Sequence, residues 1–139
     1  MKKDPGVLLK HILESAEYIE RYVGEISKKE FLKSVQIQDS VIRRLEIIGE
    51  AIRNLPEKLK KKYPSVSWRE IADMRNVLIH EYFSVDENLL WNAAKKDIPA
   101  LKKNIIDIIK NLPPKLNWQS SRFVSGRLSV RFRRVARFI

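Results

Sequence analysis

SVQIQDSVIRRLEIIGEAIRNL, residues Ser34–Leu55, decides the fold. Val41, Ile42, Leu45, Ile48, Gly49, Ile52 and Leu55 recur at intervals of three and four. That spacing lays one apolar stripe along a helix and leaves the charged residues between them to solvent. The pattern predicts a long amphipathic helix from about Ser34 to Asn54. Gly49 falls in its middle, where glycine costs about 1 kcal/mol relative to alanine. A close approach by another helix is the usual compensation, so Gly49 marks an expected packing point.

The same period extends in both directions. Asp4-Pro5 has the form of a helix start, a capping side chain followed by a proline at the first helical position. Leu8, Leu9, Ile12, Leu13, Ala16, Ile19 and Val23 then keep helical spacing up to Gly24. Ser27-Lys28-Lys29-Glu30 is a capping box opening the next segment. Pro56 starts a short basic helix that ends near Tyr63-Pro64, and Ser67-Trp68-Arg69-Glu70 reads as a second capping box. The helix expected there carries Trp68, Ile71, Met74, Arg75 and Leu78. Asp86 is the next cap, for a helix of about Glu87 to Lys110 with a kink expected at Pro99. Brief connections join these segments. The fold class is therefore all-α: an antiparallel bundle of four main helices plus short ones. Residues 1–112 make the bundle, and Asn111-Leu112-Pro113-Pro114 separates it from a tail over 113–139.

At 139 residues the chain is long enough for one domain with an apolar core. It has no cysteine, so disulfides and thiolate chemistry are excluded. No apolar run approaches the roughly 20 residues of a membrane span. The charged N-terminus lacks the apolar region of a secretory signal, so a cytoplasmic location is expected. The net charge is +11, unevenly spread: residues 111–139 hold seven of the 28 Lys+Arg and none of the 17 Asp+Glu. Six of the seven are arginines between 122 and 139. Such a tail suits phosphate backbones, and an amphipathic basic segment equally suits anionic membrane surfaces. Its residues fit a strand or a helix, and simple disorder is as good a reading.

The chemistry concentrates in Arg75-Asn76-Val77-Leu78-Ile79-His80-Glu81-Tyr82, which holds one of the two histidines. Arginine offers a planar fork of donors to a phosphate, and histidine moves protons near neutral pH. On a straight helix Arg75 and His80 point about 140° apart, whereas Asp73, Asn76 and His80 nearly share a face. Two arrangements would unite them. The helix could end or loosen near His80, or two protomers could face each other across a symmetric cleft. The second is favoured, because one helix gives little enclosure to a reacting phosphate. By spacing alone, Arg75 beside Asp73 and Glu81 is also an ordinary ion pair, and Tyr82-Phe83 a core aromatic pair. Glu46, Glu50 and Asp73 are read as solvated or intrahelically paired carboxylates, and no metal-ligand cluster is visible.

Several blocks in one order resemble the HEPN superfamily, and within it the HepT-type toxins of toxin–antitoxin pairs. They are Arg44-Leu45-Glu46-Ile47-Ile48-Gly49-Glu50-Ala51, then Ser67 to Met74, then Arg75-Asn76-x3-His80-x-Tyr82-Phe83, then Leu90-Trp91 through Asp97-Ile98-Pro99-Ala100-Leu101. The resemblance covers roughly residues 5–112, and the tail departs from it. It implies a homodimeric, metal-independent ribonuclease of a type VII-like toxin–antitoxin system, with no cofactor. His80 would act as general base or acid, Arg75 would stabilise the phosphoryl charge, and Asn76 and Asp73 would support them. Tyr82 would accept AMP from a minimal nucleotidyltransferase antitoxin, which silences the site. The alternative is a non-catalytic HEPN module that docks a nucleotidyltransferase or binds nucleotide or RNA. A plain helical scaffold is the third reading.

Overall fold

The computed structural model describes residues 4–80 and 84–113, with Ile79, His80, Ser84 and Val85 placed through their backbone. The tail assigned to 113–139 thus lies, from residue 114 on, outside the described residues. Eight α-helices and one two-residue strand pair follow each other in the described chain.

α1 spans Pro5–Gly24, with the Asp4 carboxylate accepting the Gly6 N–H at 3.0 Å. α2 spans Lys28–Lys33 behind a complete capping box: Glu30 N–H donates to Ser27 Oγ, and Ser27 N–H to Glu30 Oε1, both at 3.1 Å. α3 spans Val35–Asn54 with Ser34 as its N-cap, matching the helix expected from about Ser34 to Asn54. The corner between α2 and α3 is locked by buried Gln38, whose Nε2 donates to the carbonyls of Phe31 and Leu32 at 2.9 and 3.2 Å.

α4 (Glu57–Lys62) follows Pro56 as expected. The next segment differs from expectation. Ser67 is the N-cap of α5 (Trp68–Ala72), but its side chain makes no capping hydrogen bond, so the second capping box is not formed. The helix expected to run from there into the motif is two five-residue helices, α5 and α6 (Met74–Leu78), divided at Asp73. β1 (Ile79–His80) then pairs antiparallel with β2 (Ser84–Val85), Ile79 opposite Val85 and His80 opposite Ser84.

α7 (Glu87–Asn92) begins at Asp86, whose carboxylate accepts the Leu89 N–H at 3.1 Å. It runs through a π turn at Ala93–Asp97 into α8 (Ile98–Lys110). The wide turn is the form taken by the disturbance expected at Pro99. A proline has no N–H to return to the carbonyl four residues back, and the Ile98 N–H reaches instead to Ala93 O, five residues back.

α1 packs between α3 and α8. Arg44 lies over the Tyr18 ring at 4.1 Å, while Leu8 and His11 line a groove with Ala51 and Asn54. Early α1 therefore meets late α3, and the two run antiparallel. Lys95 reaches Val23 O at 3.2 Å and Lys102 reaches Glu20 at 3.2 Å, which sets α1 antiparallel to the π turn and α8 in the same way. The apolar stripes meet in one core that includes Leu9, Ile12, Ile19, Ile48, Ile52, Ile98, Leu101, Ile105 and Ile108. Among the described residues no helix is long and apolar enough to cross a membrane.

Candidate active site

The site is built on a break. At Asp73 the backbone takes φ −93° and ψ 0°, and its carbonyl accepts the N–H groups of Asn76 (2.9 Å) and Val77 (3.2 Å) to restart the helix as α6. The chain restarts at Met74, so Arg75 and Asn76 sit on a helix divided from α5. α6 ends after Leu78, whose carbonyl accepts the Asp86 N–H at 2.9 Å. His80 follows in extended backbone. The angle expected between Arg75 and His80 on one straight helix therefore does not apply, nor does the shared helical face of Asp73, Asn76 and His80. The helix ends before the histidine, as the first of the two arrangements supposes.

One face of α3 grips this break. A Cβ on Gly49 would lie 2.7 Å from Ala72 O, so the end of α5 rests directly on the glycine. One turn on, Arg53 Nη2 donates to the same Ala72 carbonyl at 2.9 Å and lies 3.6 Å from the Asp73 carboxylate. A cation at the carbonyl end of a helix is favourable both by hydrogen bond and by dipole. One turn back, Glu46 Oε1 lies 3.8 Å from Arg75 Nε. Residues 46, 49 and 53 of one helix face thus hold residues 72, 73 and 75.

Arg75, Asn76 and Asp73 are exposed. Arg75 Nη1 meets Asn76 Oδ1 at 3.4 Å, a long contact. The Arg75–Glu46 pair is 44% and 38% exposed, so it contributes little and is readily exchanged for another anion. The guanidinium is therefore held near one position yet remains open to a phosphate. Asp73 is engaged by Arg53 and Arg75 by Glu46, so the alternative ion pair of Arg75 with Asp73 is not formed, while Glu81 lies outside the described residues. The spacing of residues does not point to Glu46 or Arg53 as neighbours of this segment, because their partners lie on other helices. Glu46 had been assigned to solvation or pairing within its own helix, and its partner is on another. The side chain of His80 and all of Glu81, Tyr82 and Phe83 lie outside the described residues. Among the described residues no group of three or more His, Asp and Glu is placed to hold a metal ion.

The other histidine, His11, is exposed in a groove of about 330 Å³ between α1 and α3 with Arg43, Glu46 and Glu50. Glu46 lines that groove and touches Arg75, so the two regions share a wall.

A family model described as "Ribonuclease HepT-like" matches residues 12–108. A protein of Methanocaldococcus jannaschii described as "Gamma-glutamylcyclotransferase and putative RNase" is 47% identical over 92% of this chain, which spans 58% of that relative's length. A "Putative RNase" of Caldanaerobacter subterraneus is 42% identical over 78% of this chain and 96% of its own length. A "Probable ribonuclease HepT" of Thermococcus cleftensis is 47% identical over 73% of this chain and 93% of its own. No solved structure matches the chain.

Proposed function

Because this chain belongs to the HepT-like ribonuclease family, we propose that it is an RNA endonuclease whose Arg75 and His80 act on one phosphodiester. His80 takes the proton of the ribose 2′-hydroxyl, and the 2′-oxygen attacks phosphorus. The 5′-oxygen of the next nucleotide leaves and takes up a proton. The products are a 2′,3′-cyclic phosphate and a 5′-hydroxyl. Arg75 neutralises the charge that grows on the non-bridging oxygens. Asn76 orients the phosphate, and Asp73 acts at one remove by holding the helix break. The observation that carries this reading is the exposed Arg75 guanidinium, held among the described residues by a weak exposed pair and one long contact, five residues before a histidine that follows a helix end.

A second protomer completes the site in this proposal. Val77 on α6 and Leu89 on α7 are 56% and 43% exposed beside the motif, apolar surface that a partner copy would cover. As part of a type VII-like toxin–antitoxin pair, the toxin is silenced when a nucleotidyltransferase transfers AMP from ATP to the Tyr82 hydroxyl and releases pyrophosphate. The added phosphate places negative charge two residues from His80, where the RNA phosphate must sit.

The openness of Arg75 and Asn76 also suits a module that only grips a phosphate. RNA incubated with the pure protein in EDTA separates the two readings. Fragments ending in cyclic phosphate support the nuclease. Retarded but intact RNA supports the binding module.

A further inference from the structure

A groove of about 500 Å³ opens on the other side of the helix break, between the end of α3, α4 and α5. Its charged lining is Arg53, Glu57, Lys60, Lys61, Arg69 and Asp73, over an apolar floor that includes Trp68. Its size falls within the roughly 300–1,000 Å³ of ligand sites.

The charges are not equivalent. Lys60 Nζ lies 3.1 Å from Glu57 and donates to Ile52 O, and Arg53 is committed to Asp73 and Ala72 O. Both acids of the groove are thereby neutralised from within. The side chains of Lys61 and Arg69 are exposed and have no hydrogen-bond or ion-pair partner among the described residues. The groove is left with two uncommitted cations. α4 reinforces them: four of its six residues are lysines and none is buried. The helix is nonetheless anchored, since the Trp68 indole N–H donates to both Lys60 O and Tyr63 O at 3.1 Å. A firmly held helix with no buried residue presents charge at a fixed place.

We propose that this groove is a second RNA subsite, which binds backbone phosphates flanking the scissile linkage through Lys61 and Arg69. It rests on the ribonuclease reading for its ligand class. Asp73 forms the wall between groove and motif, and Arg75 follows two residues later, so a strand crossing Arg75 continues over α5 into the groove. Contacts of this kind are read as salt-dependent affinity with little base preference.

The test is the Lys61→Gln/Arg69→Gln variant against Lys28→Gln/Lys29→Gln. The control pair removes the same charge from α2, at the far end of α3, which is about 30 Å long. Binding of a labelled 2′-O-methyl oligoribonucleotide, which has no nucleophile, is titrated across salt concentrations. Loss of two phosphate contacts makes the slope of log K against log salt shallower by about 1.4 and weakens binding roughly tenfold at low salt. The control pair keeps the parent slope. Equal losses in both variants, no loss in either, or no binding by the parent overturns the proposal. Cleavage of unmodified RNA, followed in parallel, keeps the two readings apart. A parent that binds through the groove without cutting sinks the nuclease and leaves the subsite. A parent that cuts, with a groove variant that binds as tightly as the parent, sinks the subsite alone.

Discussion

Gly49 and Ala72 touch: the Cβ that Gly49 lacks would stand 2.7 Å from the Ala72 carbonyl oxygen. The obstacle is backbone, which cannot rotate aside as a side-chain tip would. Alanine would add about 1 kcal/mol of helix propensity to α3. Displacing the end of α5 outweighs it, so Gly49→Ala is expected to destabilise the fold by a net 1–2 kcal/mol or about that. The same shift moves Asp73 and Arg75. RNA cleavage should fall more steeply than stability explains at a temperature where the variant is fully folded. Thermal melts paired with cleavage rates check this.

Arg75 should show the reverse balance. Its pair with Glu46 is long and exposed, so Arg75→Ala should leave stability within about 0.5 kcal/mol. Loss of a charge-stabilising donor should lower cleavage about a hundredfold or more. A denaturant titration and a rate measurement on the same preparation separate the two effects.

Gln38 is a structural counterpart with no part in the site. Gln38→Leu removes both side-chain donors to the end of α2 and leaves Leu32 O without that partner, while Phe31 O keeps the Ser34 N–H. A loss of about 1–2 kcal/mol is expected. Folded enzyme should cut RNA at the parent rate, since the hydrogen bonds Gln38 makes go to α2 and not to the motif.

The α1–α8 interface carries a pH dependence. Burial raises the Glu17 carboxyl above its ordinary value, against the opposing pull of Lys102 and Arg21, and Glu14 and Glu20 add to the rise. A folded-state value above the unfolded one means the folded protein binds the extra proton, so this group's contribution falls as pH rises through that interval. Glu17→Gln should therefore match the parent in acid, below the ordinary carboxylate value, and be more stable than the parent at neutral pH. Melting temperatures measured across that range give the sign directly.

Much of the architecture could be read from periodicity and caps. Asp4, Ser27, Ser34 and Asp86 each accept the backbone N–H that their position at a helix start calls for. Gly49 was legible as a contact point because a mid-helix glycine needs a reason. Ser67 looked identical to Ser27 in sequence, yet its hydroxyl caps nothing; the cap backbone differs, with ψ near 66° rather than 162°. The break at Asp73 was not legible. Residues 68–78 keep a helical period across it, and what divides them is tertiary: α3 supplies a donor from Arg53 and a seat at Gly49. The same cause hid Glu46 and Arg53 from the site, since their partners are far away in sequence. Arg75, Asn76 and His80 stood out because their chemistry is local and their spacing compact. Pro99 announced a disturbance but not its form, a π turn placed ahead of the proline rather than a bend at it.

The most direct test of the central claim is the single-turnover cleavage rate of RNA by the parent and by His80→Ala, both confirmed folded, in EDTA. With His80 moving the proton, the parent yields cyclic-phosphate fragments and the variant is slower by about 10² to 10⁴. Equal rates for the two proteins would contradict that role.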